Sequence, residues 1–430
     1  MNSFRVIRGI SAKGALRDFL YGGQFNDSIA GAVVKRATLR SIVTVALLLA
    51  SPVALSSTAS TAAPRWSEAK AQAWYAGQRW PVGSNYVPAD AINELEMWQA
   101  ESFDPASIDR ELGWAQKLGM TTMRVFLHDL LWQQDAPGFK KRIDIFLNIA
   151  AKHGIKPIFV LFDSCWDPQP KLGPQHPPIP GVHNSGWVQS PGIAMDDPAQ
   201  YPRLESYVKD IVGQFARDPR ILAWDVWNEP DNPGGGNYDA SEPKDKFDRV
   251  AQLLPQVFTW ARSVAPTQPL TSGVWHDDDW SDMKKLNAVE RTQLEQSDVI
   301  SFHSYDWPEV FVRRVQQLKG YGRPLICSEY MARGAGSTID GVLPLAKKLD
   351  VGMVNWGFVE GKTQTTLPWD SWQRPYTLQP PVLWFHDLLH PSGLPYRQRE
   401  AEIIHALATS PRGVVPAAAL MVTGADAKTH

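Results

Sequence analysis

The chain has 430 residues, enough for one large barrel with flanking segments or for two ordinary domains. Its 43 lysines and arginines nearly balance its 45 aspartates and glutamates, and this formal charge of −2 argues against a nucleic-acid partner, which needs a basic surface. Charged residues at 20 % and hydrophobic residues at 43 % exclude wholesale disorder, and two cysteines exclude a disulfide framework or a cysteine-rich metal centre.

The amino terminus carries a pattern typical of export. Residues 41–55 form an apolar run that follows Lys35, Arg36 and Arg40 and precedes a stretch of small residues. This order predicts a secretory signal peptide at about 34–63, preceded by an N-terminal extension, so that 1–63 lie outside the folded domain. A membrane anchor is the alternative, but the run is short and contains Pro52. We therefore expect a periplasmic or extracellular protein.

From about residue 80 onward, short apolar runs alternate with amphipathic stretches, which is typical of a parallel sheet with helical crossovers. The runs are almost continuously apolar, as in strands that are buried on both faces. Eight strands are predicted, at 81–86, 121–127, 157–163, 221–227, 269–275, 298–303, 324–329 and 351–356.

The intervening segments have helical periodicity. Residues 204–215 and 139–150 each place apolar side chains on one helix face, and Asp104 with Pro105 forms a helix start. Eight strands alternating with helices predict the α/β class and a single (β/α)8 TIM barrel over 64–410, followed by a flexible tail over 411–430. A doubly wound open sheet is the alternative, which the lack of a glycine-rich phosphate motif disfavours.

Three long loops are predicted on the carboxyl side of strands, at 164–202, 230–245 and 361–380. Barrel enzymes build their sites from such loops. Glu229 and Glu329 end the fourth and seventh predicted strands, so that both carboxyl groups converge over the barrel mouth. Two carboxyl groups about 5–5.5 Å apart are the apparatus of retaining glycoside hydrolysis. Glu360, which follows the next predicted strand, is an alternative candidate for the second carboxyl group.

The strand ends also carry a pattern that resembles a known family. Asn228-Glu229-Pro230 after the fourth strand, with Glu329 after the seventh, resembles the clan A glycoside hydrolases, and within them the cellulase-like family 5. The overall sequence is similar to bacterial sequences that are labelled cellulase-like or xylanase-like. The other matching positions are Arg124, His303, Tyr305 and Trp356.

The resemblance implies a role for each residue. Glu229 would be the acid/base and Glu329 the nucleophile, while Asn228 would hold the sugar 2-hydroxyl. Arg124 and Tyr305 would hydrogen-bond Glu329 and keep it ionised.

The same resemblance assigns the floor and walls of the site. His303 would bind substrate or tune Glu229, and Trp356 would lie under the cleaved sugar. Asp163 stands where the family usually has histidine, which suggests a different specificity. The tryptophans just beyond strands are candidate sugar platforms, against a default of ordinary packing; they are Trp166, Trp275, Trp307, Trp369 and Trp372.

The sequence thus predicts a secreted retaining β-glycosidase that acts on a β-linked polysaccharide or oligosaccharide. A transglycosylase on the same scaffold and a non-catalytic carbohydrate-binding barrel are the alternatives. No cofactor, metal or stable protein partner is expected, and the sequence 276–279 (HDDD) fits no defined metal site. Cys165 and Cys327, on strands far apart in the ring, are predicted to be free thiols. The sugar, and whether chains are cut internally or from one end, stay open.

Overall fold

A computed structural model describes residues 63–234, 237–276 and 278–420. The predicted N-terminal extension and signal peptide, apart from Ala63, lie outside the described residues. In the part of the chain that is described, no helix is both long enough and apolar enough to cross a membrane.

All eight predicted strands are present, and they form one parallel sheet. Each strand is shorter than its predicted run, because the ladder pairs only the middle of that run. The strands are β1 Val82–Asn85, β2 Thr122–Phe126, β3 Ile158–Val160, β4 Ala223–Asp225, β5 Leu270–Thr271, β6 Ile300–His303, β7 Leu325–Glu329 and β8 Gly352–Asn355.

The ladder runs in the order β5-β4-β3-β2-β1-β8-β7-β6. In the described residues, the contacts that close the ring between β5 and β6 include the isolated bridge of Val274 to Phe302, a 2.8 Å backbone hydrogen bond from Asp298 to Leu270 and a 2.7 Å hydroxyl contact between Thr271 and Ser301. The predicted (β/α)8 barrel is therefore confirmed, and the open doubly wound sheet is excluded.

The helices of the described residues lie between the strands and beyond β8. Their bounds are α1 Glu68–Ala76, α2 Glu94–Trp98, α3 Pro105–Lys117, α4 Asp129–Lys152, α5 Tyr201–Gln214, α6 Lys246–Ser263, α7 Ala288–Gln296, α8 Pro308–Lys319, α9 Ile339–Leu349, α10 Gln398–Thr409 and α11 Ala417–Leu420.

Local sequence signals explain several of these helices. The Asp104 side chain accepts a hydrogen bond from the Ala106 amide and caps α3, as its position before Pro105 predicts. Helix α5 buries the predicted apolar face against the barrel. Helix α4 is interrupted at Asp135, whose backbone is not helical, two residues before Pro137.

The bottom of the barrel is closed by the segment that enters β1. Trp66 and α1 pack under inward-facing residues of several strands, among them Ile158, Ile326 and Val354. Catalytic space is thus confined to the opposite end, which is the end where the strands finish.

The C-terminal helices complete the outer layer of the barrel. Helices α10 and α11 pack against α9, and Ala419 in α11 is buried. The first part of the predicted 411–430 tail is therefore anchored on the barrel, and residues 421–430 lie outside the described residues.

Tryptophan serves both the core and the mouth of this barrel. Trp98, Trp224, Trp227 and Trp280 are fully buried. Other tryptophans lie at the mouth, where Trp166, Trp275 and Trp356 follow the ends of β3, β5 and β8.

Gly83 in β1 gives a test of barrel packing. A Cβ atom there would lie 1.7 Å from the backbone oxygen of its ladder neighbour Thr122, so Gly83→Ala should lower the free energy of unfolding by about 1–3 kcal/mol or more. Gly213→Ala in α5 is the control, because its Cβ would meet Val264 at an ordinary 3.5 Å. Thermal unfolding compares the two, and equal melting temperatures would contradict this packing.

Candidate active site

The site is organised around Arg124 in the middle of β2. This side chain is fully buried, and its guanidinium makes five hydrogen bonds, which use all of its N–H donors. Two go to Asp225 at the end of β4, and the others reach Asn85 at 2.9 Å, Asn228 at 2.6 Å and Glu329 at 2.8 Å. One cation therefore links four strands across the top of the barrel.

Glu329 ends β7 and is 5 % exposed. Its Oε1 accepts the hydrogen bond from Arg124, and its Oε2 accepts one from the Tyr305 hydroxyl at 2.8 Å. The structure thus places Arg124 and Tyr305 on the carboxyl group that the resemblance implies they hold. Both oxygens face fixed donors, which stabilise the ionised form.

Glu229 follows β4 in a left-handed backbone conformation, with φ of +39°. Such a conformation is strained in a residue with a side chain, and strain of this kind is concentrated at functional sites. The Oε1 atom lies 2.7 Å from His303 Nδ1, and Oε2 accepts hydrogen bonds from Asn232 at 2.5 Å and the Cys165 thiol at 3.4 Å. Among the described residues, no lysine or arginine is in direct contact with this carboxyl group.

His303 stands between the two carboxyl groups. The register between β6 and β7 shifts at Phe302 and His303, so that His303 pairs with Glu329. Its Nε2 lies 3.6 Å from Glu329 Oε1, and its Nδ1 contacts Glu229. Burial lowers the pKa of His303 to about 4, so the ring is neutral at pH 7. Of the two roles expected for His303, this geometry favours an effect on the Glu229 carboxyl group over contact with substrate.

The environments of the two glutamates differ in one decisive respect. Burial raises the pKa of both carboxyl groups, and the charge of Glu229 raises the pKa of Glu329 further. Glu329, however, is in direct contact with a guanidinium, whereas Glu229 contacts neutral groups. This contact favours ionisation of Glu329 over ionisation of Glu229.

Asn228 and Asp163 form a support beneath the two glutamates. The Asn228 amide donates to Asp163 Oδ1 at 2.8 Å, and Trp187 donates to Asp163 Oδ2 at 2.6 Å. Asp163 is 2 % exposed and does not line the cavity described next. Its hydrogen bond to Asn228, which does line the cavity, indicates a supporting role.

A cavity of about 240 Å³ lies directly over the glutamates. Trp166, Trp275 and Trp369 line it, as the sequence predicts for sugar platforms, and so does Trp356, the predicted floor of the site. Three residues of the lining, Cys165, His183 and Asn232, are absent from the sequence-based set of site residues. His183 lies in a proline- and glycine-rich loop without periodicity, so the sequence gives no sign of where its side chain points. Asn232 was predictable, because asparagine favours turns and a turn after Glu229 brings a residue three positions later close to it.

Other predicted positions lie apart from this cavity. Trp307 is exposed and Trp372 stacks on Trp166. Glu360, the rival to Glu329, is a half-exposed residue 3.4 Å from His390 and does not line the cavity. Cys165 and Cys327 are both free thiols, as predicted.

The described residues that could together hold a metal ion are Glu229, His303 and Glu329, whose ligand atoms lie within 4.8 Å of one another. The Arg124 guanidinium already occupies Glu329 Oε1, and its positive charge disfavours a cation at the same atom. His276 of the 276–279 sequence is bound instead to Asp231 at 2.9 Å.

Asp225 and Asn85 are the supporting residues that the sequence analysis missed. Asp225 was predictable as a partner of Arg124. It lies inside the apolar fourth strand, a buried charge needs an opposite charge, and Arg124 is the cation inside the second strand. Asn85 carried no such signal.

Comparison with known proteins places this barrel among solved glycoside hydrolase structures. No family model matches the sequence, and no curated protein matches it. The exo-β-1,4-mannosidase Op5Man5 from Opitutaceae bacterium strain TAV5 is 18 % identical, with a TM-score of 0.51 over 80 % of this chain and 60 % of that chain. A variant of GH5_18 from Streptomyces cattleya in complex with Manβ1-4GlcNAc is 15 % identical, with a TM-score of 0.54 over 77 % and 82 %.

A second structure of the Streptomyces cattleya protein, in complex with GlcNAc, is 14 % identical, with a TM-score of 0.50 over 76 % of this chain and 78 % of that chain. These likenesses show that the chain has the fold of solved GH5 glycoside hydrolases. The chain spans 60 % of the length of the mannosidase that it matches.

The Tyr305 hydroxyl provides a test of how Glu329 is kept ionised. Its hydrogen bond lowers the pKa of Glu329, so Tyr305→Phe should raise that pKa and move the acidic limb of a kcat/KM profile to higher pH. A hydrogen bond to a charged group contributes about 1.5–3 kcal/mol, which corresponds to a loss of roughly tenfold to a hundredfold in kcat/KM. Tyr321→Phe is the control, since Tyr321 bonds to the Trp280 carbonyl. If the acidic limb of the Tyr305→Phe profile stays in place, the hydrogen bond from Tyr305 does not help to keep Glu329 ionised.

Asn232 gives the complementary test on Glu229. Its amide lowers the pKa of Glu229, so Asn232→Ala should raise that pKa and carry the alkaline limb of the profile to higher pH. Asn148→Ala on the surface should leave both limbs in place. A shift of the acidic limb instead would mean that Glu229 is not the group whose ionisation sets the alkaline limb.

Proposed function

We propose that the protein is a retaining β-glycosidase in which Glu329 is the nucleophile and Glu229 is the acid/base. The observation that carries the proposal is the spacing of the two carboxyl groups, which present oxygens within 4.8 Å of each other at the base of a cavity. Retaining enzymes hold their carboxyl groups about 5–5.5 Å apart, whereas inverting enzymes need about 6.5–9.5 Å for an intervening water.

In the first step, ionised Glu329 attacks the anomeric carbon and the glycosidic C–O bond breaks. Protonated Glu229 gives its proton to the leaving oxygen. The hydrogen bonds from Arg124 and Tyr305 hold the Glu329 carboxylate in position for this attack.

In the second step, Glu229, now ionised, accepts a proton from water, and the resulting hydroxide attacks the anomeric carbon and releases Glu329. His303 stays neutral throughout the range in which this chemistry runs, because its pKa is about 4. Its contact with Glu229 fixes the orientation of that carboxyl group as the charge changes.

The substrate that we propose is a β-linked oligosaccharide or polysaccharide, bound against the tryptophans of the cavity. β-Mannosides are the first substrates to test, because the neighbours with this fold include a β-1,4-mannosidase and a protein bound to Manβ1-4GlcNAc. We also propose export through the predicted signal peptide. Transglycosylation would use the same intermediate, with a sugar hydroxyl in place of water.

Labelling with 2-deoxy-2-fluoro glycosides of mannose, glucose and xylose tests the mechanism. Intact-mass spectrometry should show one covalent sugar, and peptide mapping should place it on Glu329. Glu329→Gln should prevent labelling and lower turnover by at least about a hundredfold, and Glu229→Gln should lower turnover similarly and remove the alkaline limb of the pH profile.

Glu360→Gln is the matched control, because Glu360 lies outside the cavity and should retain full activity. An adduct on another residue, or inversion of the anomeric configuration in the product, would contradict the assignment. Binding of sugars without any turnover would favour the carbohydrate-binding barrel.

A further inference from the structure

We infer that the protein removes single sugars from the non-reducing ends of its substrates, because the loops after β3 and β8 close the cleft beyond one sugar. This inference rests on the proposed glycosidase and specifies its substrate as a chain terminus. It follows from contacts between two loops that are about two hundred residues apart in sequence.

Hydrogen bonds join the two loops. The Asn184 amide donates to the Thr363 carbonyl at 2.7 Å, and the Tyr376 amide donates to the Gly181 carbonyl at 2.9 Å. The Gln364 side chain donates to the carbonyls of Ile179 and Val182 at 2.8 and 2.9 Å. Backbone groups are used on both sides, so the junction is a fixed part of the fold.

Aromatic rings reinforce the same junction. Trp166 of the first loop and Trp372 of the second stack with centroids 5.2 Å apart and planes 15° apart. Trp369 extends the contact to the β6 side, since its ring meets Tyr305 edge-on at 5.2 Å. We call this structure, from Trp166 through the β8 loop to Trp369, the wall.

The inner surface of the wall offers an acceptor to a sugar. His183 lines the cavity, and its Nδ1 lies 2.8 Å from the Leu367 carbonyl. A carbonyl only accepts, so Nδ1 carries the proton of the neutral ring and Nε2 is left as the acceptor. A terminal sugar has a free hydroxyl at the position where an internal sugar is linked to the next, and such a hydroxyl can donate to this nitrogen.

The wall stands on the side away from the leaving group. Strands β1 and β2 lie between β8 and β3 in the ring, so the wall covers β1 and β2. In a ring of eight strands, β1 and β2 are opposite β5 and β6, and Glu229 follows β4, which is next to β5. The leaving oxygen must contact Glu229, so the leaving saccharide extends away from the wall and the cleaved sugar lies against it.

The loops after β5 and β6, by contrast, form no such junction at the cavity itself. Within their described parts, no hydrogen bond or ring contact joins Trp275 to Tyr305, which both line the cavity. Arg314 of α8 links the two loops outside the cavity lining, through the Asp278 carbonyl at 2.7 Å and Asp306 at 3.5 Å. The leaving saccharide therefore extends on the side of the cavity between Trp275 and Tyr305. The cavity of about 240 Å³ is also below the usual range of about 300–1,000 Å³ for ligand clefts, which fits one enclosed sugar.

The test compares two forms of β-1,4-linked mannose, glucose and xylose oligosaccharides. One form has a free non-reducing end, and the other is capped there with a 4-O-benzyl ether. The wild-type protein should release monosaccharide from the free form as the first product, and it should cleave the capped form at least a hundredfold more slowly. Internal cleavage of capped chains at a comparable rate would overturn the inference while leaving the glycosidase intact.

Trp372→Ala, which removes one side of the ring stack, should weaken the wall. Its kcat/KM on an aryl monosaccharide should fall roughly fivefold, and its rate on capped chains should rise relative to that on free chains. Trp384→Ala is the matched control, since Trp384 stacks on Tyr396 outside the cavity and should change neither rate. If no chain of either form is cleaved and Glu329→Gln behaves as the wild type, the glycosidase itself is wrong, and the end-specificity with it.

Discussion

The buried guanidinium of Arg124 is the constraint on which the rest of the site depends. A cation removed from water is tolerated only when its donors are all used and its charge is balanced. Here the five hydrogen bonds reach β1, β4 and β7 from β2, and the balancing charges are Asp225 and Glu329. The same contacts therefore set the relative positions of four strands and the position of the proposed nucleophile.

The charge of this cluster also explains how two glutamates in one cavity can differ in their tendency to ionise. Arg124 and Asp225 form a compact neutral pair, so Glu329 adds one negative charge that the surrounding donors stabilise. Among the described residues, the groups that contact Glu229 directly are Asn232, Cys165 and a neutral histidine, which stabilise a second negative charge less than a contacting guanidinium does. The proposed division into acid and nucleophile therefore follows from where a single cation is placed.

Much of the fold was predictable because each strand of a parallel barrel is a continuous apolar run, and these runs are visible in the sequence. The glutamates were predictable because a strand end fixes where its last side chain points. Asp163 and His183 show the limit. Whether Asp163 faces a sugar or its neighbour Asn228 depends on the contact with Trp187, which a long irregular loop supplies. His183 reaches the cavity only because residues near 370 hold its loop, and no local pattern encodes that pairing.

The barrel ladder is a sheet whose two edge strands, β5 and β6, meet where the ring closes. Among the contacts that hold this closure in the described residues are three backbone hydrogen bonds and a hydroxyl contact, which join Asp298 to Leu270, Val274 to Ser301, His303 to Val274 and Thr271 to Ser301. One of these bonds fixes the backbone of His303, whose ring lies between Glu229 and Glu329. Closure of the barrel and placement of the histidine between the two carboxyl groups therefore depend on the same bonds, so that a substitution that loosens the closure also disturbs the site.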